Sequence, residues 1–203
     1  MKMTRLFAMI IAAACLLACM PLVSASGDQG NNIDPFTGDH AITIDQAKDS
    51  VRAFVGDTSV EPIFFTEEEL PLSTYYVFGI GNSVFMVNAD NGAVEMAWFE
   101  DNVPKSPTGI EISEDEAYEK AVAYASQKSE DFSKKNWTLF SYKLDGPADD
   151  DRGYVFNFQE QIRSENDTVL LNMVEVIVNP DTGAIYQYQS MNRIKIEENE
   201  LIL

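Results

Sequence analysis

A seven-residue pattern, Val-Asn-x-Asp-x-Gly-Ala followed by a branched apolar residue, occurs twice in the chain, beginning at Val87 and at Val178. Each copy lies between runs rich in Val, Ile and Met, over residues 84–96 and 174–187. That arrangement predicts a strand, a tight turn and a second strand. Gly92 and Gly183 stand where the chain turns back, a place for the left-handed backbone that glycine adopts cheaply. Asn88, Asp90, Asn179 and Asp181 carry short polar side chains that bond nearby backbone, and Pro180 presets φ for an early turn position. The same four side chains offer oxygen to a cation, but their place in the turn assigns them to hairpin chemistry. A duplicated hairpin constrains the chain to a duplicated, antiparallel, strand-rich fold. It names no reaction.

The stretches around the two hairpins repeat in the same order. Thr43 and Gln46 fit a capping box, with Ile44, Ala47, Val51, Phe54 and Val55 on one helical face and Gly56 as the stop. Ser113 and Glu116 form a second and stronger box, ahead of a helix that buries Ala117, Ala121, Val122, Tyr124 and Ala125. Ile42 and Ile112 each precede the cap, in the position of an apolar staple. Strand-like runs follow the first helix at 60–65, 74–80, 84–87 and 93–99, and the second at 137–144, 153–162, 168–178 and 184–191. Glu67, Glu68 and Glu69, with Pro71, read as an exposed loop that could at most attract a cation. Tyr154, Phe156 and Phe158 alternate, which predicts one aromatic face turned to the core.

The N-terminal stretch has Lys2 and Arg5, an apolar run over 7–23 and the small residues Ser24 and Ala25. This is a secretory signal pattern, predicted to be cut after Ala25 and to leave no membrane insertion. Leu16, Leu17, Ala18 and Cys19 also resemble a lipobox, with lipidation at Cys19 as the alternative. Cys15 and Cys19 both precede the cut, so no disulfide framework is available to the mature chain. The formal charge is −19; of 14 basic residues the signal removes two, leaving 12 against 33 acidic ones, or −21. Such a balance disfavours nucleic acid and anionic lipid, which need clustered Lys or Arg.

Catalytic chemistry is sparse. His40, the one histidine, falls at the end of a Gly- and Asn-rich spacer and reads as solvated. Ser-His-Asp, Cys-His and His-Glu-x-x-His arrangements are therefore excluded. Asp145, Asp149, Asp150 and Asp151 form the best loop for a hard cation such as calcium, without the spacing of an EF-hand. Asn136 and Asn166 begin glycosylation sequons.

Ile112-Ser113 with Glu116-Ala117, and Val178-Asn179-Pro180-Asp181-Thr182-Gly183, resemble the PepSY family. Ile42-Thr43 with Gln46-Ala47, and Val87-Asn88 with Gly92, form a fainter copy. Together the copies span about 41–191. The family commonly shows Asp where Asn88 and Asn179 stand, and the first copy has Asn91 in place of Thr before its Gly. The expected fold class is α+β, two PepSY-like modules, each a helix packed on an antiparallel sheet of about four strands. The expected division is a signal (1–25), a linker (26–41), module 1 (42–99), a linker (100–110), module 2 (111–196) and a tail (197–203). Such small units are marginal alone, so the two should pack together, sharing an apolar surface between sheets or joining through edge strands. The resemblance implies a non-catalytic, secreted protein with a protein partner, an extracellular peptidase that it inhibits or regulates being the family's example. The alternative expectation is a cell-surface structural or calcium-responsive module.

Overall fold

The computed structural model describes residues 40–70, 73–105, 111–129, 132–145, 152–163 and 169–196. The expected signal segment with Cys19, most of the expected first linker, Asp149–Asp151, Asn166 and residues 197–203 lie outside the described residues. The elements run α1 (Ile44–Val55), β1 (Ile63–Leu70), β2 (Ser73–Ile80), β3 (Ser83–Asn88), β4 (Val94–Phe99), α2 (Glu114–Lys128), β5 (Thr138–Asp145), β6 (Arg152–Arg163), β7 (Val169–Val178) and β8 (Ile185–Ile196).

Local chemistry sets the helix ends. At α1 the box is complete: Thr43 Oγ1 accepts from the Gln46 amide at 3.2 Å, and Gln46 Oε1 accepts from the Thr43 amide at 2.8 Å. Gly56 ends the helix at φ +79°, its amide returned to the Arg52 carbonyl at 2.9 Å. At α2 Ser113 Oγ accepts from the Glu116 amide at 3.2 Å, while the Glu116 carboxylate turns to Lys120, 3.8 Å away. The fuller box is thus at the first helix, contrary to the ranking expected from the residue types. An acid one turn from a lysine has a competing partner.

The expectation of two helix-on-sheet modules is overturned. All eight strands belong to one antiparallel sheet in the order β1-β2-β3-β4-β8-β7-β6-β5. The halves meet where β4 pairs with β8, through Met96 opposite Gln189, Ala97 opposite Tyr188 and Trp98 opposite Gln187. The physical reason lies in the size of the buried helical faces. The fully buried helical positions are small, Ala47 and Val51 on α1 and Ala117, Ala121 and Ala125 on α2, and the larger Phe54 and Tyr124 turn to the junction between the halves, so neither helix closes a core on its own. Both helices instead feed a single cluster with Tyr76, Phe78, Phe85, Val87, Ala97, Tyr154, Phe156, Phe158, Val174, Val176, Val178 and Tyr188.

Aromatic rings carry that cluster across the junction. Phe54 of α1 lies 6.5 Å from Tyr124 of α2, and both contact Tyr188 of β8, at 5.5 and 5.8 Å between centroids. Lys128 near the end of α2 donates to the carbonyl of Phe54 and covers the Phe54 ring at 4.9 Å. A smaller cluster of Val103, Val155, Ile177 and Tyr186 gathers separately, with Trp98 and Leu144 packed against it. The segment after β4 reaches across the junction too. Asn102 Nδ2 donates to the Ile185 carbonyl, and the Asn102 carbonyl accepts from Asn179 Nδ2, both at 2.7 Å.

Candidate functional site

The duplicated motif builds the same node twice. In each, an Asn side chain folds back on its own turn: Asn88 Oδ1 accepts from the Asp90 amide at 2.9 Å, and Asn179 Oδ1 from the Asp181 amide at 2.8 Å. Each turn then holds the entry to a helix. The Ile42 amide donates to the Ala89 carbonyl at 3.2 Å, and the Ile112 amide to the Pro180 carbonyl at 2.8 Å. A strand tyrosine closes the node from the sheet, Tyr76 to the Ile42 carbonyl at 3.2 Å and Tyr154 to the Ile112 carbonyl at 3.0 Å.

Gly92 and Gly183 have φ of +75° and +72°. A Cβ on Gly183 would meet only the movable end of the Lys120 side chain and Ile112 Cδ1 at 3.3 Å, so the left-handed dihedral is the main demand for glycine there. Asn88 and Asn179 are buried, with these bonds satisfying them. The motif therefore fastens each helix to the sheet.

Around these nodes the two copies differ. Asp90 accepts from Ser73 Oγ at 3.1 Å. Asp181 instead receives both arms of Arg152, at 3.0 and 3.1 Å, with the two side chains 4% and 10% exposed. Glu111 joins Arg152 at 3.3 Å and Lys143 at 2.6 Å. Lys143 first, and Arg152 after it, hold the Glu111 carboxyl below the usual carboxylate range.

In the first copy Glu95 accepts from the Tyr75 hydroxyl at 2.7 Å and from Asn88 Nδ2 at 3.1 Å. In the second copy Tyr186 packs on Gly153, where a Cβ would meet its hydroxyl oxygen at 2.4 Å. Burial pushes the Glu95 carboxyl up, against the lowering effect of those hydrogen bonds, and burial and Glu95 push the Tyr75 hydroxyl up. A carboxyl with a raised folded pKa costs stability above that pKa, and the cost disappears as the pH falls through it. Glu95→Gln keeps a partner for each neighbour, since a phenol oxygen can accept from the new amide. The variant should melt higher than the parent at neutral pH and match it below the ordinary carboxylate range. Thermal melts at both pH values check this, and an equal loss at both would contradict it.

Among the described residues no group of three or more His, Cys, Asp or Glu is placed to hold a metal ion. Asp145 ends β5, and its companions in the acidic loop lie outside the described residues. Asn136 is exposed, with its amide on Glu160 Oε1 at 3.1 Å. His40 is not solvated as expected. Its Nε2 lies 3.0 Å from Glu67 Oε1 and its ring meets Tyr76 edge-on at 5.5 Å, leaving the side chain 14% exposed. The acid triplet is not a loop either. Glu67, Glu68 and Glu69 lie in β1, opposite Tyr76, Tyr75 and Thr74. The aromatic partners on β2 favour pairing there, overriding the low strand preference of Glu.

The sheet ends on β1 and β5, and the two edges differ. β1 is broken by a bulge between Phe64 and Thr66, and it carries the three glutamates. Bulges and charges are the devices that keep a sheet edge from pairing with another chain. β5 has neither a bulge in its pairing with β6 nor a charge between Thr138 and Tyr142. Its residues 138–143 are all exposed. Phe140 and Tyr142, 52% and 53% exposed, lie on one face opposite Asn157 and Val155, and Leu139, 40% exposed, lies on the other opposite Phe158. Ser141 donates to Glu114 at 3.2 Å, tying the strand's middle to the start of α2.

The strand is legible in the sequence, but its place at the edge is not. The adjacent apolar pair Leu139 and Phe140 fits an interior strand covered on both faces equally well. No helix among the described residues is long and apolar enough to cross a membrane. Compared with known proteins, the chain matches no family model, no curated protein and no solved structure.

Proposed function

We propose that this chain is a secreted, non-catalytic protein-binding protein that accepts an extended segment of its partner along β5. The observation that carries this reading is the contrast between the edges: both expose apolar side chains, but β1, with Ile63 and Phe65, is interrupted by a bulge and carries three glutamates, whereas β5, with Leu139, Phe140 and Tyr142, is an unbroken strand. An added strand takes its affinity from backbone hydrogen bonds and its selectivity from alternate side chains. Phe140 and Tyr142 on one face and Leu139 on the other would supply that selectivity. The residues after the N-terminal basic pair support an extracellular location, and the resemblance to PepSY modules supports an extracellular peptidase as the partner, regulated or inhibited by docking.

The test is a cross-linking capture from the envelope and medium proteins of the source organism, with the protein and its Phe140→Lys/Tyr142→Lys variant as parallel baits. The two exposed substitutions should leave the fold intact, which circular dichroism checks. The reading expects a protein held by the parent and lost by the variant, and, if that protein is a peptidase, inhibition by the parent alone. Equal capture by both baits would refute the role of β5.

A further inference from the structure

We propose that β5 also pairs with β5 of a second copy of this chain, antiparallel about a two-fold axis at Ser141, so that the copies cover each other's docking edge when no partner does. This rests on the reading of β5 as the docking edge. Opposed residues in an antiparallel pair share a face, so a two-fold axis normal to the sheet must pass between a residue and its own counterpart.

Three centres are open on this stretch. An axis at Phe140 or Tyr142 sets one ring against itself and the other against Thr138 or Leu144. An axis at Ser141 places the smallest side chain of the stretch at the centre. It sets Phe140 opposite Tyr142 twice on one face, the aromatic pairing that stabilises adjacent strands. On the other face Leu139 lies opposite Lys143, whose stem is apolar.

Charge order favours antiparallel over parallel pairing of the two strands, at any of the three centres. The chain enters β5 through Lys134 and Lys135 and β5 ends on Asp145. Antiparallel pairing sets the basic start of one strand near the acidic end of the other, at both ends. β1 offers no such solution: an axis at its glutamates would set like charges against one another, and an axis nearer Phe65 would fall on its bulge. The chain also already uses this kind of join, β4 to β8, between its own halves. The formal charge of −19 opposes association of copies, so pairing should strengthen as salt screens the wider repulsion.

Ser141→Cys tests the register in the full chain with Cys15 and Cys19 replaced by Ser. Across the axis the two Cα atoms would lie about 4.5–5.5 Å apart, within the range a disulfide spans. Thr138→Cys is the comparison, because its two copies would lie roughly 20 Å apart. Under mild oxidation the Ser141→Cys chain should link at least about tenfold faster, given that distance requirement. Peptide mapping should find the 141–141 bond, and adding Phe140→Lys/Tyr142→Lys should abolish it. Sedimentation of the parent should show a dimer fraction that rises with salt. Linking no faster than Thr138→Cys, or a parent that stays monomeric at every salt concentration, would overturn self-pairing. If β5-dependent capture persists in that case, the docking role stands and only the second copy is ruled out. If capture is also independent of β5, both readings fall.

Discussion

Truncating Tyr188 to alanine should lower stability by about 4 kcal/mol, the cost of removing a large buried ring and leaving a cavity. Tyr188 is 1% exposed and meets Phe54 from α1 and Tyr124 from α2. Its backbone also stands opposite Ala97 at the join of the two halves. For a chain of this size the loss corresponds to roughly 12 °C in melting temperature. The form of the transition is as informative as its position. A core shared by both helices predicts one cooperative step, in parent and variant alike, with both halves melting together. Two separable steps would restore the independent modules that the sheet order argues against.

Tyr188→Phe separates ring from hydroxyl. Burial pushes that hydroxyl up, while hydrogen bonds to Ser190 and Ser129 oppose the shift. Losing the hydroxyl alone should cost about 1 kcal/mol.

Arg152→Met should cost about 3 kcal/mol, because it breaks a bidentate pair whose members are nearly buried. The asymmetry between removing one partner and removing both decides this case. Asp181 keeps its charge at 4% exposure and loses both Arg152 bonds. Glu111 is a third exposed and still has Lys143, so its share of the loss is small. Arg152→Met with Asp181→Asn should recover part of the stability, and a double-mutant cycle by chemical denaturation measures the coupling. The pH dependence has a definite sign. Glu111 has a lowered folded pKa, so its contribution is present above the ordinary carboxylate pKa and is lost as the pH falls through the lowered value. Arg152→Met should weaken that acid-side dependence without removing it, since Lys143 is the larger cause.

The features legible in the sequence are those decided within a few residues. Thr43 with Gln46 caps a helix because their reciprocal bonds span three positions, and Gly92 and Gly183 turn because a left-handed backbone is a property of one residue. The alternation of Tyr154, Phe156 and Phe158 likewise reports the buried face of one strand. What escapes sequence reasoning depends on partners far along the chain. Nothing local to Met96 or Gln189 announces that β4 and β8 pair. Glu67 reads as loop until Tyr76 stands opposite it, and His40 reads as solvated until Glu67 and Tyr76 receive it. Arg152 and Asp181 are 29 residues apart and meet only because β6 and the second hairpin are neighbours. The docking edge belongs to the same class. Leu139, Phe140 and Tyr142 would make an ordinary interior strand, and only the strand order leaves them uncovered.

The paired capture, with a β1 control added, tests that claim most directly. The parent, Phe140→Lys/Tyr142→Lys on β5, and Ile63→Lys/Phe65→Lys on β1 would serve as three baits. Both variants place two lysines at exposed edge positions and so match in charge, and circular dichroism checks that the β1 variant, which also lifts the Phe65 ring off Gly79, keeps the fold. The account predicts a partner retained by the parent and the β1 variant and lost by the β5 variant. Loss with the β1 variant and retention with the β5 variant would contradict it.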